Sequence, residues 1–138
     1  GGGGMYNFYA MGTADNPRTP VVFVHEFGHS FAGLADEYFS SEVAYQDFYN
    51  LKYEPWEPNI TTLVNFDAKW KDLLPANTPV PTPLDDAHKD KAGVFEGGGY
   101  IAKGIYRPMD HCMMRDYAPF CPACSRAILQ MVDFLTDK

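Results

Sequence analysis

The placement of proline and glycine decides first what this chain can fold into. Its 138 residues include 11 Pro and 12 Gly. Most of these lie in the first twelve residues or between Pro55 and Pro108. The stretch from Tyr38 to about Pro108 contains Glu54-Pro55-Trp56-Glu57-Pro58, Thr78-Pro79-Val80-Pro81-Thr82-Pro83 and Gly97-Gly98-Gly99. Proline lacks the amide donor a helix needs, and glycine favours turns. This region is therefore expected to be irregular, with one short helix near Asp67–Leu74, and long ordered loops of this kind usually shape a binding surface. Two stretches escape the punctuation. Thr19 as cap, Pro20 at the first helical position and Gly33 just past the end predict a buried helix over Pro20–Ala32. Pro122 near a start, with Ile128, Met131, Val132 and Leu135 at helical spacing, predicts a closing amphipathic helix from about Pro122 to Thr136.

Hydrophobic residues at 46% and charged residues at 21% suit a folded globule, and the length suits one domain over 1–138. No apolar run reaches the roughly 18 residues of a membrane span. A net charge of -7 argues against nucleic acid as a partner, because phosphates require a basic face. Gly1–Gly4 reads as a cut or a tag remnant, and the chain as the carboxyl-terminal portion of something longer.

The chemistry concentrates in His25-Glu26-Phe27-Gly28-His29, an HExxH pattern. Residues four apart on a helix share a face, so both imidazoles can reach one Zn2+ at about 2.0–2.1 Å. Glu26 can then act as general base on a water at that ion. A third protein ligand is expected. Asp36, three residues past the Gly33 turn, is the first candidate and Glu37 the close competitor. His88 and His111 are weaker alternatives, placed respectively in a Pro/Asp-rich loop and before the cysteines. Asp85, Asp86 and Asp90 leave a calcium site open. The three cysteines are Cys112, Cys121 and Cys124. A lone CxxC lacks the second pair of a zinc ribbon and the βαβ context of a redox motif. Neighbouring cysteines at a helix start are poorly placed for each other, so Cys112 is expected to bond to Cys121 or Cys124.

The chain resembles the bacterial IgA-peptidase-type zinc metallopeptidases. The likeness runs through His25-Glu26-Phe27-Gly28-His29-Ser30-Phe31-Ala32-Gly33-Leu34-Ala35-Asp36-Glu37-Tyr38 and Lys69-Trp70-Lys71. It continues through Val94-Phe95-Glu96-Gly97-Gly98 with Tyr100, Tyr106-Arg107-Pro108, Cys112-Met113-Met114-Arg115 and Phe120-Cys121-Pro122-Ala123-Cys124. It implies a secreted, cell-surface or periplasmic endopeptidase that uses Zn2+ and acts on protein or peptide, with host glycoproteins such as immunoglobulin A as a candidate substrate. His25, His29 and Asp36 are then the metal ligands and Glu26 the catalytic base. Met114 is the candidate for a methionine turn of the metzincin type beneath the metal, and Tyr117 a candidate to approach the metal or polarise the scissile carbonyl. The implied fold is α+β, a zincin (metzincin-like) catalytic domain consisting mostly of the active-site helix and carboxyl-terminal subdomain. Of the sheet that precedes the helix in zincins, Gly4–Ala10 alone is left as a candidate edge strand. Gly33 and Asp36 each fall one residue later than in HExxHxxGxxD, which leaves the third ligand less fixed than the histidines. The reading from another class is a catalytically inactive zincin scaffold that binds peptide or glycoprotein through exposed Trp56, Trp70 and tyrosines.

Overall fold

The structure, a computed structural model, describes residues 1–39 and 48–137; positions 40–47 of the expected irregular stretch lie outside the described residues. The chain opens with an antiparallel hairpin of β1 (Gly2–Met5) and β2 (Tyr9–Gly12), paired from Gly2↔Gly12 to Met5↔Tyr9. The single strand expected over Gly4–Ala10 is thus two short strands. The chain reverses at Tyr6–Phe8, where Asn7 adopts φ 55°, a left-handed conformation that asparagine tolerates better than most residues. Gly2–Gly4 pack closely in strand β1. A Cβ on Gly4 would lie 2.3 Å from the Glu26 carbonyl oxygen, and one on Gly2 would lie 2.7 Å from Glu26 Oε1. Only glycine lets this strand lie against the helix that follows.

That helix, α1, spans Thr19–Ala32. Thr19, the expected cap, sits inside it; Arg18 holds the cap position without a side-chain hydrogen bond, and the Thr19 hydroxyl donates to the Thr13 carbonyl. The other end follows expectation. Gly33 has φ 64°, and the Gly33 and Leu34 amides donate to the carbonyls of His29 and Gly28 at 3.1 and 3.2 Å, the left-handed helix stop that favours glycine. The helix is buried on one face only. His25, Glu26, Gly28 and Ala32 are buried, whereas Phe23, Val24 and Phe27 are exposed. Its polar motif therefore faces inward.

The middle region contains more structure than its punctuation suggests. In place of a short helix near Asp67–Leu74 there are two 3-10 turns, Phe66–Ala68 and Lys71–Leu73. The glycine run is part of a second antiparallel hairpin, β3 (Phe95–Gly98) and β4 (Ile101–Arg107), with an irregularity between Glu96 and Gly98. Gly97 at φ 102° supplies a conformation closed to other residues, and the Phe39 ring fills the place of its side chain. A short helix α2 (Met113–Asp116) and the closing helix α3 (Pro122–Leu135) complete the α+β arrangement. The buried face of α3 is Ala123, Cys124 and Ala127; Val132 and Leu135, expected inside, are exposed. Among the described residues no helix is long and apolar enough to cross a membrane.

One core joins Ala32, Leu34, Trp70, Met114, Ala127 and the three cysteines; a second joins Ala35, Ile60, Ile101 and Ile105. Trp70, expected as an exposed binding residue, is fully buried, and its indole Nε1–H donates to the Gly93 carbonyl at 2.7 Å. Lys69 is buried beside it, with Nζ donating to the carbonyls of Pro55 and Glu57, both at 2.6 Å. Arg107 is buried too; its guanidinium donates to the carbonyls of Glu96 and Gly97 and to Asp110 Oδ1. Long cationic side chains thus brace loops that cannot brace themselves through regular backbone pairing. The expected disulfide is absent: all three cysteines are free and buried. Cys112 Sγ and Cys124 Sγ are 3.7 Å apart, against about 2.05 Å for a bonded pair.

Candidate active site

Helix α1 places His25 and His29 one turn apart, and the Gly33 stop turns the chain back so that Asp36 meets them. His25 Nε2 and His29 Nε2 are 3.1 Å apart. Asp36 Oδ1 is 3.0 Å from the first and 3.2 Å from the second. Four-coordinate donors at about 2.0–2.1 Å from one ion lie roughly 3.3 Å from one another, so the three atoms fit a shared metal. Asp36 Oδ1 is buried with no hydrogen-bond donor of its own. A buried carboxylate oxygen without a donor is costly unless a cation faces it. The residues present fit the expected ion.

The outer contacts fix which atoms face inward. His25 Nδ1 lies 2.8 Å from the Met113 carbonyl, and His29 Nδ1 lies 2.6 Å from the Leu34 carbonyl. A carbonyl accepts only, so each Nδ1 carries the hydrogen and each Nε2 presents its lone pair. Tyr38 donates its hydroxyl to Asp36 Oδ2 at 3.0 Å, and Tyr100 donates to the same oxygen. This leaves Oδ1 for the histidines.

The charges follow from these contacts. Burial works against protonation of both histidines, but the Asp36 carboxylate outweighs it and both are raised above the ordinary value. Burial likewise opposes the charge on Asp36, yet His25, His29 and Tyr100 hold its carboxyl well below the usual range. Burial, with the Asp36 charge beside it, lifts the Tyr38 hydroxyl to about 12, and the same causes raise Tyr100. Both phenols remain donors at any physiological pH.

The sequence left Asp36 and Glu37 as competitors, and the fold sends them to different places. Asp36 faces the histidines, while Glu37 is fully buried among Cys112, Cys121 and Cys124. Glu26, the expected base, lines a cleft of about 320 Å3 together with Gly2, Gly3, Gly4, His25 and His29. Met114 is buried beneath the motif: a Cβ on Gly28 would stand 2.7 Å from its Sδ. The expected methionine thus lies under the helix, and the glycine between the histidines makes room for it. Tyr117 stacks its ring edge-on against His25, with centroids 5.5 Å apart. Its ring packs on a site histidine, whereas the hydroxyls bonded to the site acid come from Tyr38 and Tyr100. Those two have no spacing signal of their own; only their presence in the matching blocks singled them out.

The weaker candidates lie elsewhere. His88 Nδ1 contacts Asp85 Oδ1 at 2.6 Å in its own loop, and Asp86 pairs with Lys89. His111 pairs with Asp110 and Asp116 at the surface. Among the described residues the loop aspartates form no cluster of metal-binding groups, so the calcium site left open gains no support.

A model of the IgA Peptidase M64 family matches residues 1–92 and 84–132, nearly the whole chain and both halves of the site. The chain belongs to this peptidase family. No curated protein matches it. Membership in M64 makes the chain a member of a family of hydrolases that cleave peptide bonds and carry a metal. The M64 match takes in the glycine strand, the motif helix, the Asp36 loop and the cysteine segment together.

Proposed function

We infer that this chain is the catalytic domain of a zinc-dependent endopeptidase that acts on protein or peptide substrates. The observation that carries the reading is the convergence of His25 Nε2, His29 Nε2 and Asp36 Oδ1 below a cleft lined by Glu26. Two imidazole nitrogens and one carboxylate suit Zn2+, which when bound polarises a scissile carbonyl and lowers the pKa of a water towards about 7.

The chain's own groups supply the remaining steps. The Glu26 carboxylate takes a proton from the attacking water, whose oxygen bonds to the carbonyl carbon. The same proton then passes from Glu26 to the amide nitrogen as the C–N bond breaks, so that the amine leaves neutral. The backbone acceptors behind His25 and His29, and the phenols behind Asp36, keep the three ligand atoms aimed while this happens. Strand β1 has no side chain at Gly2–Gly4, so an extended substrate backbone can approach its rim closely. Exposed Trp56, whose ring centroid lies 5.3 Å from that of Tyr6, lines an adjoining pocket with Gly33, Asp36, Tyr49 and Tyr100. It is the aromatic best placed to hold a substrate side chain.

Immunoglobulin A and similar host glycoproteins belong to this proposal as candidate substrates, and a secreted or surface location belongs with them. The inactive-scaffold reading loses Trp70, one of its two tryptophan anchors, to the core. Glu26→Gln separates the two readings. It is expected to keep zinc and bind peptide while cleavage of a mixed peptide library falls by about 10²–10⁴-fold. Cleavage at the parental rate would remove Glu26 from the mechanism, and no cleavage by the zinc-loaded parent would favour the scaffold.

A further inference from the structure

A second group of potential ligands lies apart from the histidines. Glu37, Cys112, Cys121 and Cys124 are all buried, and each offers one ligand atom within 4.8 Å of the others. Three segments supply them: the loop after α1, the residue before α2, and the first turn of α3. The Cys112–Cys124 sulfur separation of 3.7 Å matches the edge of a tetrahedron with Zn–S bonds of about 2.3 Å, which is roughly 3.8 Å. Glu37 Oε1 is 3.2 Å from Cys124 Sγ and also accepts from Asn59 Nδ2 at 2.9 Å. Glu37 Oε2 is buried with no partner.

Backbone amides reach two of the sulfurs. The Cys121 amide donates to Cys112 Sγ and the Cys124 amide to Cys121 Sγ, each at 3.4 Å. Cys121 is also the N-cap of α3, where the helix dipole favours negative charge. Three sulfurs and a carboxylate, all buried and this close together, make a donor set that a compact cation can hold. Soft sulfur donors in tetrahedral array select Zn2+ over Mg2+ or Ca2+.

We propose that Glu37, Cys112, Cys121 and Cys124 form a second, structural Zn2+ site that fastens the Asp36 loop to the start of α3. On binding, each thiol bonds to the ion through sulfur and releases its proton to solvent, with no change of oxidation state. A closed set of four protein ligands leaves no position for water, so the site is structural. Its consequence for the other site is direct. The Glu37 amide donates to the Met114 carbonyl at 2.8 Å, and the neighbouring Met113 carbonyl accepts from His25. Asp36 and the His25 acceptor are therefore held by the chain segments that the cysteine site joins.

The test does not depend on catalysis. The full chain carrying His25→Ala and His29→Ala, purified under reducing conditions, should retain one equivalent of Zn2+. Replacement by Co2+ should give sulfur-to-cobalt charge-transfer absorption, and adding Cys121→Ser should abolish it. Cadmium-113 NMR of the unsubstituted protein covers the case in which the cysteine variant fails to fold. Two resonances are expected, one of them strongly deshielded as thiolate ligation requires. A histidine variant devoid of metal, cobalt spectra without sulfur bands, or a disulfide found by peptide mapping would each overturn the site. Loss of peptidase activity with this site intact would bear only on the proposed function.

Discussion

Asp36 and Glu37 are neighbours in sequence but belong to two different clusters. The histidine cluster opens onto a cleft, and Tyr38 and Tyr100 reach its acid from the side. The cysteine cluster is sealed, with every member buried. Consecutive side chains of an extended segment point to opposite sides, which is how one loop serves both. Openness is what chemistry on a substrate needs; closure is what a brace needs. The contrast also bears on the absent disulfide between Cys112 and Cys121 or Cys124. The Cys112 and Cys124 sulfurs, 3.7 Å apart, stand at the spacing of two ligands on one ion and too far apart for a bond of about 2.05 Å.

The largest expected effect comes from exchanging these neighbours' roles. Asp36→Ala should weaken zinc at the histidine cluster by at least about two orders of magnitude, beyond the 10–100-fold usual for losing an outer hydrogen-bond partner. It should leave the cysteine-bound metal in place. Glu37→Ala should do the reverse and lower the melting temperature as well. Zinc stoichiometry at limiting free metal, measured on both variants, breaks the comparison if the losses are the same.

Next come the phenols. Tyr100→Phe removes one donor from Asp36 Oδ2 and should lower zinc affinity at the histidine cluster by about 10–100-fold, with no change in the thiolate cobalt spectrum. Competition with a chelator measures it; an unchanged affinity would mean that Tyr38 alone orients the acid.

Protons compete with metal at the open cluster. In the metal-free protein His25 and His29 are raised by Asp36. Their protonated forms stabilise the metal-free fold below the unfolded value of about 6.5, and that contribution is lost as pH rises through the raised folded values. Zinc needs both imidazoles neutral. Its affinity should therefore decline already above pH 6.5 on acidification, by about tenfold per pH unit for each proton displaced. Titrations at several pH values read this slope, and a flat profile down to pH 6 would contradict the raised histidines.

The smallest effect is expected at the rim. Trp56 is exposed at the edge of the pocket it shares with Tyr49 and Tyr100, so Trp56→Ala should raise KM several-fold with kcat and metal content unchanged. A fall in kcat with KM constant would move Trp56 from substrate binding into the support of the site.

Much of the open cluster could be read from the sequence. Two histidines and a glutamate at helical spacing, closed by a glycine stop, need only local geometry to share a face. Helix α1 and the start of α3 were legible for the same reason, since proline and glycine mark ends through their own backbone limits. The hairpin β3–β4 was not. Its glycines read as turns, and only the Phe39 ring over Gly97 and the Arg107 guanidinium at the carbonyls of Glu96 and Gly97 show why a strand is held there.

The sequence by itself determined the candidate ligand types, their spacing on α1 and the family to which the chain belongs. Tertiary structure decided which acid joins the histidines, which tyrosines hold that acid, and that the three glycines Gly2–Gly4 form a strand over Glu26. It also decided that a lone CxxC has company. Cys112 and Glu37 are 9 and 84 residues from Cys121 in the chain. Contacts at such separations leave no periodic trace, because they are set by how the loops pack and not by the repeat of any one element.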